Sequence, residues 1–101
     1  MYERERDGLP PIHPGEILKD ELVELGLSAA EFARKLGVPH NRITAILSGQ
    51  RSITADTALR LGRYFGTGAK FWLDLQQTHD LKRTEALHGA EIERRVHPRA
   101  A

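Results

Sequence analysis

Residues 28–48, SAAEFARKLGVPHNRITAILS, decide the fold. Ser28 followed three residues later by Glu31 is a reciprocal capping pattern: each side chain satisfies a backbone N–H that the helix start leaves open. A helix over about residues 29–36 follows, with Phe32, Ala33 and Leu36 on its apolar side. Gly37 closes it, because glycine leaves a helix through the left-handed conformation without steric cost. Pro39 stands near the front of the next helix, which runs to about Ser48 with Ile43, Ile46 and Leu47 facing inward. Two helices crossing steeply through so short a turn bring their backbones close, so the contact point on the first must be small. Ala33 meets that need, and Ile43 with Ile46 locks the second helix onto the rest of the domain.

The second helix then has an open face carrying His40, Asn41, Arg42, Thr44 and Ala45. An α-helix fits the major groove of B-DNA, where asparagine pairs with adenine, arginine with guanine, and a small methyl touches thymine. These five residues are the candidate base readers. Phosphate anchors are expected on either side. Ser28 and Ala29 start a helix whose backbone N–H groups and positive dipole end suit an anion. Gln50, Arg51 and Ser52 follow the reading helix, and Arg51 has no acid near it in sequence. Such contacts give an affinity whose log–log salt slope is about −0.9 per neutralised phosphate.

Outward from this core, His13-Pro14-Gly15-Glu16 reads as a helix start, with proline at a position that needs no N–H and an acid at the positive dipole end. Leu18, Leu22 and Leu25 recur at helical spacing, and Gly26 ends the segment. Thr54 caps a fourth helix with the stripe Ala58, Leu61, Gly62 and Phe65. After Gly66-Thr67-Gly68 a fifth helix carries Phe71, Trp72, Leu73 and Leu75. Residues 84–95 suggest a short sixth helix through Leu87 and Ile92, weakened by Gly89 at a cost of about 1 kcal/mol relative to alanine. The expected organisation is all-α: a flexible N-terminal arm over 1–11, a domain over 12–81, and a C-terminal tail or short helix over 82–101.

Charge supports the placement of the reading face. The chain is nearly neutral, with a formal net charge of +1. Residues 1–27 hold three basic and seven acidic residues, residues 28–70 seven basic and two acidic, and residues 71–101 five of each. A basic middle between acidic and neutral ends suits a polyanion. The absence of cysteine excludes disulfides, thiolate metal sites and thiol catalysis. His13, His40, His79, His88 and His97 are too scattered for a metal-ligand spacing, and neither a glycine-rich phosphate loop nor a nucleophile elbow is present. No cofactor, no metal and no catalytic role are expected. With no apolar run of about 20 residues and no apolar leader, a soluble cytoplasmic protein without membrane contact is expected.

These residues give the chain a resemblance to the Xre/Cro-type helix-turn-helix family, and within it to the HigA-like (VapI-like) antitoxins. The matching segments are residues 11–18, PIHPGEIL, then Gly26-Leu27-Ser28, the two crossed helices, and Phe71-Trp72-Leu73-Asp74-Leu75-Gln76 with Asp80-Leu81. The resemblance covers about residues 10–81. It implies a five-helix, lambda-repressor-like domain that dimerises on palindromic double-stranded operator DNA upstream of its own operon and represses transcription. It also implies a protein partner, a HigB-like toxin that is a ribosome-dependent mRNA endonuclease. Carried over by position, base-reading slots fall on His40, Asn41, Thr44 and Ala45, and phosphate slots on Ser28, Ala29 and Arg51. Ala29 departs from the glutamine often found in related repressors, which leaves only its backbone N–H for a phosphate. The alternative is a free-standing helix-turn-helix regulator without a toxin partner.

One short reading helix spans only a few base pairs, so two half-sites, and hence a homodimer, are expected. Phe71, Trp72 and Leu75 are the candidate dimer surface, with closure of the monomer core as the alternative role for Trp72. For a basic toxin the acidic first helix, through Glu16, Asp20, Glu21 and Glu24, is the candidate contact, with the arm and the tail as alternatives.

Overall fold

The computed structural model describes residues 11–100, and these form five helices with no strand among them. They are α1 (Pro14–Leu25), α2 (Ala29–Leu36), α3 (His40–Leu47), α4 (Ala55–Phe65) and α5 (Ala69–Arg95). The all-helical, five-helix expectation is met. The arm expected over residues 1–11 lies outside the described residues except for Pro11.

The chain's own punctuation sets the boundaries. His13 caps α1 with its ring, Nδ1 accepting from Gly15 N–H at 2.9 Å, and Pro14 takes the first helical position. Ser28 and Glu31 form the full capping box, at 3.1 and 2.9 Å. Gly26, Gly37 and Gly66 each close a helix in the left-handed conformation. Thr54 does occupy the cap position of α4, but its side chain makes no capping bond. Asp56 in the first turn supplies the favourable charge at that dipole end instead.

The core lies where α1, α3 and α5 meet the α2–α4 side. It contains Leu18, Leu22, Phe32, Ala33, Leu36, Ile43, Ile46, Ile53, Ala58, Leu61 and Trp72. Tyr64, Phe65 and Phe71 extend it as a chain of ring contacts from Phe32 to Trp72. Two expected core residues stay outside: Leu25 is exposed in the last turn of α1, and Leu47 is only half-buried. Gly15 is where α1 touches α3: a Cβ there would collide with the carbonyl of Ile46. That approach seats α3 directly on α1.

The main departure concerns the C-terminal region. Residues 84–95 are not a separate sixth helix, nor is 82–95 a tail, because α5 runs unbroken for 27 residues, about 40 Å. Trp72 and Gln76 anchor its first turns in the core. Once a helix is nucleated, each added residue gains a hydrogen bond at little further cost, so a single glycine does not stop it. The i,i+4 pairs Lys70–Asp74 and Glu91–Arg95 add support along the exposed surface, and Gln76–Asp80 does so at the edge of the core.

Candidate nucleic-acid interface

Packing of Ile43 and Ile46 fixes which side of α3 faces outward. His40, Asn41 and Thr44 are exposed and Ala45 is half-buried, four residues that share one side at helical spacing. Thr44 Oγ1 donates to the Asn41 carbonyl at 3.3 Å, which leaves its oxygen lone pairs and methyl facing out. The helix therefore presents an amide, an imidazole, a hydroxyl and a methyl.

Arg42 is placed differently from the other four. It lies on the flank of α3 toward α4, half-buried, with Nη1 donating to Asp56 Oδ2 at 2.6 Å. Asp56 also accepts from Arg60 Nε at 3.0 Å, and Arg60 Nη1 reaches the carbonyls of Leu36 (2.8 Å) and Gly37 (3.3 Å). Arg60, helped by Arg42, holds the Asp56 carboxyl below the usual carboxylate range. The result is a braced corner: α4 grips the end of α2, the turn, and α3 through one acid and two arginines. Sequence reading missed Asp56 and Arg60 as members of the site. Their i,i+4 spacing was the available signal, but it does not tell that the pair reaches back to Arg42 and the turn.

The expected phosphate anchors bracket this face in the chain. At the start of α2, helix geometry leaves the N–H groups of Ala29 and Ala30 without an intrahelical acceptor. Ser28 is committed to the capping box through its backbone N–H and its oxygen, so its hydroxyl proton is what it has to offer. Those same Ser28 bonds hold the Glu31 carboxyl below its ordinary pKa. After α3, Gln50 and Arg51 both donate backbone N–H to the Ala45 carbonyl, at 2.9 and 3.2 Å. Ile53 N–H donates to the buried Gln76 Oε1 at 2.8 Å, which pins the far end of the same loop to α5. Gln50, Arg51 and Ser52 are thus exposed side chains on an immobilised backbone.

His13 backs the same loop. Its ring stands edge-on to His79 of α5, with centroids 4.9 Å apart. His79 Nδ1 and Gln76 Nε2 both meet Asp80 Oδ1, at 3.2 and 2.9 Å. Burial and the neighbouring His79 push the His13 pKa down, against the pull of Asp80, Glu16 and a hydrogen bond with the Arg51 backbone. Among the described residues, no group of three or more His, Cys, Asp or Glu side chains is placed to hold a metal ion. No described helix is long and apolar enough to cross a membrane.

The helix-turn-helix family profile matches residues 18–72, which span most of α1 through the start of α5. Virulence-associated protein I of Dichelobacter nodosus is 52% identical over 79% of this chain and 75% of its own length. An addiction-module antidote protein of the HigA family from Coxiella burnetii superposes with a TM-score of 0.87. It is 53% identical, over 90% of this chain and all of that one. The chain belongs to the helix-turn-helix family, on its HigA branch. Pseudomonas aeruginosa antitoxin HigA, solved with the higBA promoter, matches with a TM-score of 0.85 and 47% identity over 89% of this chain and 99% of that one.

On this HigA-like chain the other expected surfaces fall as follows. Glu16, Asp20, Glu21 and Glu24 are all exposed on α1, opposite Leu18 and Leu22, and so form one acidic face. Of the expected dimer residues, Trp72 is 2% exposed and closes the monomer core, so it has no surface for a partner. Leu75 is half-buried, and Phe71 remains 45% exposed.

Proposed function

We propose that the protein is an antitoxin and autorepressor: as a homodimer it binds palindromic operator DNA upstream of its own operon, and it neutralises a HigB-like mRNA endonuclease toxin. One observation carries the DNA half of this reading. The rear of α3 is fully buried while His40, Asn41 and Thr44 stand open, in a chain that matches an antitoxin solved with its promoter. His40, Asn41, Thr44 and Ala45 supply base contacts. The α2 N-terminus and the Gln50–Arg51–Ser52 loop supply phosphate contacts, which position the helix without reading sequence.

Phe71, Leu81 and Ile92 support the dimer. They fall on one side of α5 at helical spacing and are 45, 62 and 48% exposed. A second copy covering that side sets two α3 helices at fixed separation, as a palindrome requires. The acidic face of α1 is the toxin surface, on charge complementarity to a basic RNA-cleaving partner. In this reading the protein works in the cytoplasm by binding alone, with no bond made or broken.

Sequencing the DNA that flanks this gene for a short, basic reading frame, and co-expressing its product with this protein, tests the toxin half. Growth arrest by that product, relieved by this protein and not by its Glu21→Lys/Glu24→Lys variant, is the expected result. Full relief by the variant overturns the α1 surface, and no relief by the wild type overturns the antitoxin role.

A further inference from the structure

We propose that Asp56 is a specificity-determining residue that withholds Arg42 from DNA, so that α3 reads through His40, Asn41 and Thr44 without an arginine. The inference rests on the DNA-binding reading above and adds to it a residue that need not touch DNA.

An arginine on a DNA-reading helix has two kinds of partner. Its guanidinium binds guanine in the major groove, yet it binds any phosphate as well. An unpaired arginine beside Asn41 therefore raises affinity for every sequence along with affinity for the right one. Here that guanidinium is engaged at 2.6 Å by a carboxylate and drawn to the α4 flank, with only 25% of the side chain exposed. The carboxylate is itself oriented. Arg60 holds the same oxygen at 3.0 Å and is fixed to the Leu36 and Gly37 carbonyls, so Asp56 is aimed at Arg42 by the turn between α2 and α3.

The pair is also accessible, with Asp56 56% exposed. Exposed ion pairs are weak, so DNA phosphate competes with Asp56 for Arg42, and the acid sets how often Arg42 is free. Sequence preference then comes from the neutral groups on α3, whose hydrogen bonds do depend on base identity.

The experiment is a double-mutant cycle on the full chain, read by fluorescence anisotropy against an upstream duplex and a scrambled duplex over a range of salt. Asp56→Asn is expected to tighten binding to the scrambled duplex by about 3- to 5-fold at low salt. Its log–log salt slope should steepen by about 0.9, one added phosphate contact, and the upstream-to-scrambled ratio should fall. In an Arg42→Ala background the same substitution is expected to change scrambled-duplex binding by less than about twofold. Arg42→Ala alone is expected to leave upstream binding within about threefold of wild type.

An equal effect of Asp56→Asn with and without Arg42 overturns the inference, because Asp56 then acts as a plain negative charge facing DNA. A large loss of upstream binding in Arg42→Ala also overturns it, because Arg42 is then a reader. Arg60→Gln removes the brace that aims Asp56 but leaves the carboxylate opposite Arg42, and is expected to tighten scrambled binding less than Asp56→Asn does and only where Arg42 is present. An equal effect of Arg60→Gln in the Arg42→Ala background overturns the inference, because loosening of the turn is then the cause. The DNA-binding reading is judged separately by wild type on upstream against scrambled DNA, and its failure removes the inference with it.

Discussion

The side chain of Gln76, only 4% exposed, accepts the Ile53 N–H at 2.8 Å and so ties α5 to the loop that leaves α3. A buried amide N–H has few ways to be satisfied, and this one is met by a residue 23 positions away. The bond joins the stability of the domain to the placement of Arg51.

Gln76→Met keeps the volume and removes the acceptor. Leaving the Ile53 N–H unmet is expected to destabilise the protein by roughly 1–3 kcal/mol in urea denaturation. The same variant is expected to lose upstream-duplex affinity at conditions where it is still folded. A stability change below about 0.5 kcal/mol would contradict the role given to this bond.

The α1–α3 contact at Gly15 makes a sharper demand. A methyl there meets the Ile46 carbonyl, a backbone atom that cannot swing away. Gly15→Ala is expected to cost about 3 kcal/mol. At Gly26 a Cβ meets nothing, and only the φ of 69° resists it, so Gly26→Ala is expected to cost about 1–2 kcal/mol. Comparison of the two urea midpoints tests this ranking, which reverses if the close approach is not real.

Much of this was legible in the residues. The capping box, the glycine closing α2, the small Ala33 and the inward Ile43 and Ile46 all obey local rules, and the structure places them accordingly. So do His40, Asn41 and Thr44, which stand open on α3, whereas Arg42 is drawn to Asp56. What local rules do not carry is tertiary pairing. Nothing near Arg42 announces that Asp56, fourteen residues on, will claim it, nor that Gln76 turns inward among the apolar residues of α5. The length of α5 was hidden for another reason. Its distal half is weakly apolar and interrupted by Gly89, so periodicity fades although the helix is carried on from its anchored end.

Stability is expected to fall with acid, beginning near neutrality. The His13 pKa is depressed from 6.5 in the folded protein. As pH falls through 6.5 the unfolded chain takes up a proton that the folded one still refuses, so folding loses free energy until the folded His13 titrates. Asp56 and Glu31, with carboxyl pKa values lowered by their partners, extend the loss at lower pH, as their carboxylates are protonated. Urea midpoints at pH of about 8, 7, 6 and 5.5 are expected to decline. In His13→Asn, whose amide oxygen can still cap α1, the decline between about pH 7 and 5.5 should flatten. An unchanged slope would assign that titration to another group.

Dimerisation through α5 is tested by charge on its exposed side. Leu81→Glu/Ile92→Glu touches no core residue, so the monomer's helical signal is expected to persist. Sedimentation is expected to show the wild type as a dimer and the variant as a monomer, with the variant's operator affinity reduced at least about 10-fold. A variant that remains dimeric would move the interface elsewhere.

In the proposed function, the open face of α3 reads operator DNA. Fluorescence anisotropy of the purified protein on a duplex from its own upstream region tests this most directly, with a scrambled duplex and an Asn41→Ala/Arg51→Ala variant beside it. Binding at least about 10³-fold tighter to the upstream duplex is expected, falling steeply with salt and lost in the variant. Equal affinity for the two duplexes, or a variant that binds like wild type, would contradict it.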